Sequence, residues 1–198
     1  TAEWQTILDK AWKAGIPHVV FTGGEPTLRP DLPELISYTE KNGMVCGLLT
    51  DGLRLAGRDY LHQVLQAGLD YVMLLLDPSN EASWEALRDL LVEDISTTVH
   101  ITITHDNAPQ IPLLFDRLVQ LDVKLISLSA SQPDLMETQK RLRDMAAGKG
   151  LSLVWDIPVP YSDFHPVALE LANGEAPQGA GHAWLYVEPD GDVLPAQG

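Results

Sequence analysis

Short runs of apolar and β-branched residues alternate along the chain with longer segments whose apolar residues recur every three or four positions. The short runs are typical of buried strands, and the longer spacing is typical of amphipathic helices. Six such runs recur roughly every 26 residues, the length of one strand-plus-helix unit. They are His18–Thr22, Val45–Thr50, Tyr71–Leu76, Thr98–Thr104, Leu125–Ser129 and Leu151–Trp155. The pattern therefore predicts an α/β fold with a parallel sheet and right-handed crossovers.

The polar positions within two of these runs favour a barrel over an open sheet. In the fourth run, one face is apolar and the other carries His100, Thr102 and Thr104. In the fifth, Ser127 and Ser129 alternate with apolar residues. An open doubly wound sheet is apolar on both faces, whereas a barrel can turn its polar face to the lumen. Six strands are fewer than the eight of a closed barrel, so we expect a partial (βα)6 TIM-like barrel.

The two ends of the chain differ from this repeat. The segment "AEWQTILDKAWKAGI" predicts a helix with no strand before it, so we expect the first strand of the barrel and its loop to be missing, through trimming or through evolutionary loss. We expect the barrel to occupy residues 1–156 and a Pro/Gly-rich connector to occupy 157–182. Residues 183–198 then predict a short hairpin appendage with a turn at "EPDG".

Composition excludes several classes of function. The 198 residues carry a formal net charge of -15, which argues against nucleic acid and anionic membranes as partners. No apolar run has the roughly 20 residues of a membrane helix and no signal peptide is visible, so we expect a cytoplasmic protein. Cys46 is the single cysteine, so thiolates of this chain alone hold neither an iron–sulfur cluster nor a structural zinc.

Acidic residues follow most of the predicted strands. In a barrel they would share the C-terminal mouth, where active sites are built. One interpretation is a site for a cation, a metal or an amine-bearing ligand; the other is that these side chains cap the following helices. The residues are Glu25, Asp51, Asp77, Asp106 and Asp156.

The stretch "HVVFTGGEPTLRPDL" is the most informative of these strand ends. Its two glycines, Gly23 and Gly24, allow a ligand to approach the backbone closely, and Glu25 adds a negative charge beside them. Pro26 stiffens the exit of the turn. The combination indicates a binding site that suits an ammonium group.

The run "VVFTGGEPTLRPDLPELI", followed by a strand ending in "LLTDG", closely resembles the radical S-adenosylmethionine (radical SAM) enzymes. The resemblance implies that Gly23, Gly24, Glu25 and Pro26 bind the amino group of the methionine moiety. It implies further contacts to methionine and ribose from Thr50, Asp51, Gly52 and Asp77. The family's cofactors are S-adenosylmethionine and one [4Fe-4S] cluster, which together generate a 5'-deoxyadenosyl radical that removes a hydrogen atom from a substrate.

The sequence departs from the family pattern at several points. The CxxxCxxC loop that holds the cluster is absent, so we expect this chain alone to hold neither cofactor and to be inactive. Asp51 replaces the asparagine of "TNG", and Leu75 lies where many members have a serine. The tail from residue 183 resembles the start of a SPASM-type extension but lacks the cysteines expected near Gln178 and Ala196.

Three hypotheses follow. The first is the core of a radical SAM enzyme that acts on a peptide or small-molecule substrate and is reduced by an electron donor. The second is a degenerate, cluster-free barrel that serves as a ligand- or partner-binding module. The third is a metal-dependent lyase or hydrolase that uses the acids at the barrel mouth. Among the histidines, His100 is the candidate for a functional position in the lumen.

Overall fold

The computed structural model describes residues 1–154 and 185–194. Within them, six parallel strands alternate with six α-helices. The strands are β1 (His18–Phe21), β2 (Val45–Thr50), β3 (Tyr71–Leu75), β4 (Ser96–Ile103), β5 (Leu125–Ala130) and β6 (Ser152–Leu153). The helices are α1 (Ala2–Lys13), α2 (Leu32–Lys41), α3 (Arg58–Gln66), α4 (Glu81–Leu91), α5 (Ile111–Gln120) and α6 (Met136–Gly148).

The strands lie in the sheet in the order in which they occur along the chain, from β1 to β6. A doubly wound sheet reverses its strand order at a switch point, and no reversal occurs here. Consecutive right-handed crossovers instead place successive helices on one face, as in a barrel. The predicted partial TIM-like barrel is therefore confirmed.

The two faces of the sheet have different packing. One face joins the helices in a large buried cluster, to which β4 contributes Val99, Ile101 and Ile103. On the other face, Leu49 and Met73 form a separate small cluster with Leu75. Because Leu75 pairs in register with His100, and paired residues of parallel strands point to the same face, His100 lies on this second face. We call this second face the lumen.

Strand β1 is an edge of the described sheet and pairs only with β2 there. Val20 on β1 and Val45 on β2 each remain 36% exposed.

Beyond the barrel, the predicted hairpin is present as β7 (Tyr186–Val187) and β8 (Val193–Leu194), which pair antiparallel. Its turn is closed by the Gly191 N–H, which donates to the Glu188 carbonyl at 2.9 Å. The predicted connector 157–182 lies outside the described residues, and the division into domains stays a prediction. In the described parts, none of the helices combines the length and hydropathy that crossing a bilayer requires.

Candidate functional site

The loop after β1 leaves its backbone open. Gly23 has a φ of +115°, a conformation that favours glycine, and a Cβ placed on Gly23 or on Gly24 would meet no heavy atom within 4 Å. The glycines therefore do not serve close packing within the chain. They leave space and unshielded backbone groups at the mouth of the barrel.

The Glu25 carboxylate holds this loop against the end of β2. Its Oε1 accepts hydrogen bonds from the Thr27 N–H at 2.9 Å, the Thr27 hydroxyl at 2.6 Å and the Thr50 hydroxyl at 2.7 Å. Its Oε2 accepts from the Asp51 N–H at 2.8 Å. Four donors to one carboxylate hold it in a fixed position. The side chain of Glu25 is thus a link between two strand ends.

The end of β2 is ordered by the same link. Thr50 is fully buried, and its hydroxyl both donates to Glu25 and accepts from the Gly52 N–H at 3.0 Å. Gly52 has a φ of +76°, and a Cβ there would come within 2.3 Å of the Leu74 side chain. The Thr-Asp-Gly turn therefore needs its glycine for both backbone conformation and packing.

Asp51 lies between Thr50 and Gly52 in the chain. Its Oδ1 accepts from the Leu53 N–H at 2.9 Å. Partial burial raises the pKa of its carboxyl above the usual value, and the neighbouring negative charge of Glu25 adds to that effect. Two acidic side chains at adjacent strand ends make a site that favours a cationic group.

The exit of the loop is held by residues that the sequence did not single out. Pro26 and Thr27 are buried, and the Thr27 carbonyl accepts from both the Arg54 guanidinium and the Tyr60 hydroxyl. The Arg54 guanidinium also stacks on the Tyr60 ring, 4.2 Å from its centroid. No local motif marks Arg54 or Tyr60, because their role depends on how the loop folds back onto α3.

Asp77 lies apart from the Glu25 group, at the end of β3. Its Oδ1 accepts from the Ser79 N–H at 2.9 Å and from the Ser79 hydroxyl at 2.7 Å. Asn80 is the residue that caps α4, accepting from the Ala82 N–H at 3.0 Å. The structure therefore joins Glu25, Thr50, Asp51 and Gly52 directly but does not join Asp77 to them.

A pocket of about 220 Å³ opens beside Asp77. It lies between the ends of β3 and β4. The described residues that line it are Leu75, Leu76, Asp77, Pro78, His100, Ile101, Thr102 and Asn107. His100, the histidine that the sequence singled out, is 2% exposed and belongs to this lining.

The predicted acids do not form a common metal centre in the described chain. Among residues 1–154 and 185–194, no three His, Cys, Asp or Glu side chains are grouped as a metal site requires. Asp106 is exposed, and Asp156 lies outside the described residues. The metal-dependent lyase or hydrolase therefore gains no support from this part of the chain.

The glycine loop after β1 fits S-adenosylmethionine, whereas Cys46 does not fit an iron–sulfur cluster. Thr22, which precedes Gly23, has a buried hydroxyl with no hydrogen-bond partner among the described residues. An orphaned polar atom beside an open backbone fits a polar ligand such as S-adenosylmethionine. Cys46 does not fit a cluster, since it is fully buried and its burial raises the pKa of the thiol to about 12.

Comparison with known proteins places the chain in a family. The model of the radical SAM superfamily matches residues 1–101, just over half of the 198. "PqqA peptide cyclase" of Gluconobacter oxydans (strain 621H) is 27% identical over 225 aligned positions, covering 98% of this chain and 60% of the relative. "Fe-coproporphyrin III synthase" of Methanosarcina barkeri (strain Fusaro / DSM 804) is 33% identical over 131 positions, covering 60% of this chain and 33% of the relative.

Among solved structures, one described as "Structure of TYW1 with a lysine-pyruvate adduct bound" aligns with 72% of this chain and 57% of that chain, at 21% identity and a TM-score of 0.46. In sequence, the chain spans about 60% of the length of the PqqA peptide cyclase that it matches.

Proposed function

Since the chain belongs to the radical SAM superfamily, we propose that the intact protein is a radical SAM enzyme that acts on a peptide. When bound, S-adenosylmethionine and a [4Fe-4S] cluster supply reductive cleavage of the adenosyl cofactor and a radical that removes a hydrogen atom from the substrate. The observation that carries the proposal is the Gly23-Gly24 loop, whose backbone is open to a ligand and whose position is fixed by the Glu25 carboxylate.

In this proposal the loop receives the methionine end of S-adenosylmethionine. The backbone of Gly23 and Gly24 is the surface that the amino group approaches, because it is open and exposed. Glu25 contributes negative charge, while its oxygens are committed to Thr27, Thr50 and Asp51. Pro26 fixes the loop exit.

The end of β2 completes the wall of this site. Thr50 and Gly52 set the position of the backbone beside Glu25, and Asp51 adds a second acidic group. Asp77, which follows the neighbouring strand β3, remains a predicted contact to the methionine or ribose of the cofactor.

The cluster must be held by thiolates from outside this chain. Cys46 is the single cysteine and lies within the helix-side core. We therefore propose that these 198 residues alone are inactive, and that in the intact protein a separate electron donor reduces the cluster.

A peptide is the substrate class that the relatives favour. The match to PqqA peptide cyclase extends over 98% of this chain, whereas the match to Fe-coproporphyrin III synthase extends over 60%. We propose a peptide on that difference in coverage, with a small molecule as the alternative.

The second candidate function is a cluster-free barrel that binds a ligand or partner. Two observations favour it: Leu75 faces the lumen where the resemblance predicts a serine, and the single thiol is buried. This protein would bind S-adenosylmethionine or another amine through the loop without cleaving it.

The test uses the longest natural form of the protein, reconstituted anaerobically with iron and sulfide. The radical SAM proposal predicts an EPR signal of a reduced [4Fe-4S] cluster that changes when S-adenosylmethionine is added. In Glu25→Gln the cluster signal should persist and the change on adding S-adenosylmethionine should be lost, while Glu85→Gln, an exposed acid on α4, should behave as the wild type. Absence of a cluster, under conditions that load a known radical SAM enzyme, would favour the binding module.

A further inference from the structure

Thr27 connects the glycine loop with the segment that leads into α3. On one side, its N–H and its hydroxyl both donate to Glu25 Oε1, at 2.9 Å and 2.6 Å. On the other side, its carbonyl accepts from the Arg54 guanidinium and, at 3.3 Å, from the Tyr60 hydroxyl. Thr27 itself is fully buried. A change in the position of Arg54 is therefore transmitted to the Glu25 carboxylate through a single residue.

These contacts form a closed ring. Glu25 Oε2 accepts from the Asp51 N–H at 2.8 Å, and Arg54 follows Asp51 by three residues along the chain. The hydrogen bonds of Thr27 to Glu25 and to Arg54 complete the ring. Because the ring is closed, the glycine loop cannot move away from the Thr-Asp-Gly turn without breaking one of its bonds.

Arg54 is held in one orientation by a second contact with Tyr60. Its guanidinium stacks on the Tyr60 ring, 4.2 Å from the ring centroid, while the hydroxyl of the same tyrosine shares the Thr27 carbonyl. A planar guanidinium can stack on a ring and donate in its own plane at once, whereas the ammonium of a lysine cannot. Fixing so long a side chain costs conformational entropy, which these two contacts offset.

The fold does not need Arg54 in order to place its surroundings. Helix α3 is anchored in the core by Leu61 and Val64, and the segment before it is anchored by Leu55; all three are fully buried. The Arg54 side chain is exposed and lies outside this core. What its guanidinium fixes is the exit of the glycine loop.

We propose that Arg54 is a positioning residue for S-adenosylmethionine, acting through the Thr27 carbonyl and Glu25 on the open glycine loop. Tyr60 supports it by orienting the guanidinium. Arg54 does not touch the cofactor in this role, so its loss weakens binding equally before and during the reaction; KM for the cofactor should rise and kcat should stay nearly unchanged. The inference rests on the proposed radical SAM function and adds to it a residue outside the motifs that contact the cofactor.

The first measurement is hydrogen–deuterium exchange of the longest natural form without added cofactor, resolved to single amides. In Arg54→Gln, the Thr27 and Leu28 amides should exchange at least about 5-fold faster, because both donate to Glu25 in the ring. The amides of residues 61–66 in α3 should exchange as in the wild type. Equally faster exchange throughout α3 would mean that Arg54 only stabilises the fold, which would overturn the proposal.

The second measurement combines the affinity for S-adenosylhomocysteine, by calorimetry, with KM and kcat for 5'-deoxyadenosine release. Arg54→Gln should bind the analogue about 5-fold or more weakly and raise KM by a similar factor, with kcat within about 2-fold of the wild type. Arg54→Lys keeps the charge and loses the planar stack, so its affinity should lie between those of Arg54→Gln and the wild type.

Arg58 provides the matched controls. It is also an exposed arginine, and its guanidinium contacts Asp89 at 3.2 Å on the surface rather than the loop. Arg58→Gln and Arg58→Lys should bind the analogue as the wild type does. If Arg54→Gln does not fold, Arg54→Lys carries the test, since it should bind the analogue at least about 2-fold more weakly than Arg58→Lys.

Three further outcomes overturn the proposal: Arg54→Gln binds the analogue as tightly as the wild type, Arg58→Gln weakens binding as much as Arg54→Gln, or kcat falls while KM is unchanged. Failure of the radical SAM function would be recognised in the wild type itself, which would then show no cluster by EPR and bind no analogue. The exchange experiment requires neither a cluster nor turnover, so it reports separately whether Arg54 holds the loop.

Discussion

The hydroxyl of Thr50 donates to the Glu25 carboxylate across 2.7 Å, joining residues 25 positions apart at the ends of two neighbouring strands. The contact makes the glycine loop and the Thr-Asp-Gly turn one unit. Through it, the position of the loop backbone depends on the register of β1 against β2, in which Phe21 pairs with Leu48. The site is thus set by the sheet rather than by the loop sequence alone.

Removing the Thr50 hydroxyl should weaken both the fold and the site. Thr50→Val leaves the Glu25 Oε1 without one donor and the Gly52 N–H without its acceptor. The free energy of unfolding should fall by about 2 kcal/mol, since one of the lost bonds is to a charged group. Urea denaturation measures this change. The control is Thr97→Val on β4, because the Thr97 hydroxyl makes only a 3.5 Å contact with the Ile95 carbonyl. This variant should lower the free energy of unfolding by less than about 1 kcal/mol. An equal loss in both variants would contradict the role of Thr50.

Adding a methyl group at Gly24 should block a ligand without disturbing the fold. A Cβ there meets no heavy atom of the chain within 4 Å. Gly24→Ala should therefore change the free energy of unfolding by less than about 0.5 kcal/mol and weaken binding of S-adenosylhomocysteine at least tenfold. Isothermal titration calorimetry of the reconstituted natural protein measures the affinity.

Gly148 on α6 is the matched control for this variant, since a Cβ there also meets nothing within 4 Å. Gly148→Ala should leave affinity unchanged and raise the free energy of unfolding by up to about 1 kcal/mol, because alanine favours a helix more than glycine does. If Gly24→Ala binds the analogue as the wild type does, the cofactor does not approach this backbone.

Gly52 should respond to alanine in the opposite way. Its φ of +76° and the 2.3 Å approach of Leu74 both oppose a side chain. Gly52→Ala should lower the free energy of unfolding by about 3 kcal/mol, through backbone strain and overpacking of the core. Thermal denaturation of Gly52→Ala beside Gly24→Ala measures the contrast, and equal stability of the two would show that the turn is not packed as described.

Asp51 should make stability depend on pH. Burial raises the pKa of its carboxyl above the ordinary value of 3.8. Between that value and the raised pKa, the folded protein keeps a proton that the unfolded chain has lost. Stability contributed by this group therefore falls as the pH rises through that interval and stays lower above it.

Asp51→Asn removes this dependence and should stabilise the protein at pH 7 by about 0.5 kcal/mol, a modest gain because solvent screens the half-exposed carboxylate. Urea denaturation from pH 4 to pH 7 of the wild type and the variant measures it. A wild-type curve that rises relative to the variant over this range would contradict the raised pKa.

Much of the barrel was predictable because its signals are local. The apolar runs placed all six strands, and the alternation of polar residues in β4 and β5 placed His100, Ser127 and Ser129 on one face. These features depend on the two-residue period of a strand and on no distant contact. Strand ends were less predictable: β4 begins at Ser96 rather than at Thr98, since pairing with β3 extends it.

The organisation of the site was not predictable from local patterns. "GGEP" marked the loop, but the partners of Glu25 lie on another strand, and the contact of Arg54 and Tyr60 with the Thr27 carbonyl depends on the tertiary fold. Asp77 was grouped with the Glu25 residues through family resemblance, whereas its side chain turns to Ser79 beside a separate pocket. Its role as a contact to the methionine or ribose of the cofactor stays a prediction.

The most direct measurement is the amount of 5'-deoxyadenosine released from S-adenosylmethionine by the reduced, reconstituted natural protein. We expect release by the wild type and by Gly148→Ala, and at least a tenfold lower rate for Gly24→Ala at limiting cofactor. If the wild type carries a reduced cluster and releases no 5'-deoxyadenosine, or if Gly24→Ala releases it at the wild-type rate, the proposed site and function are wrong.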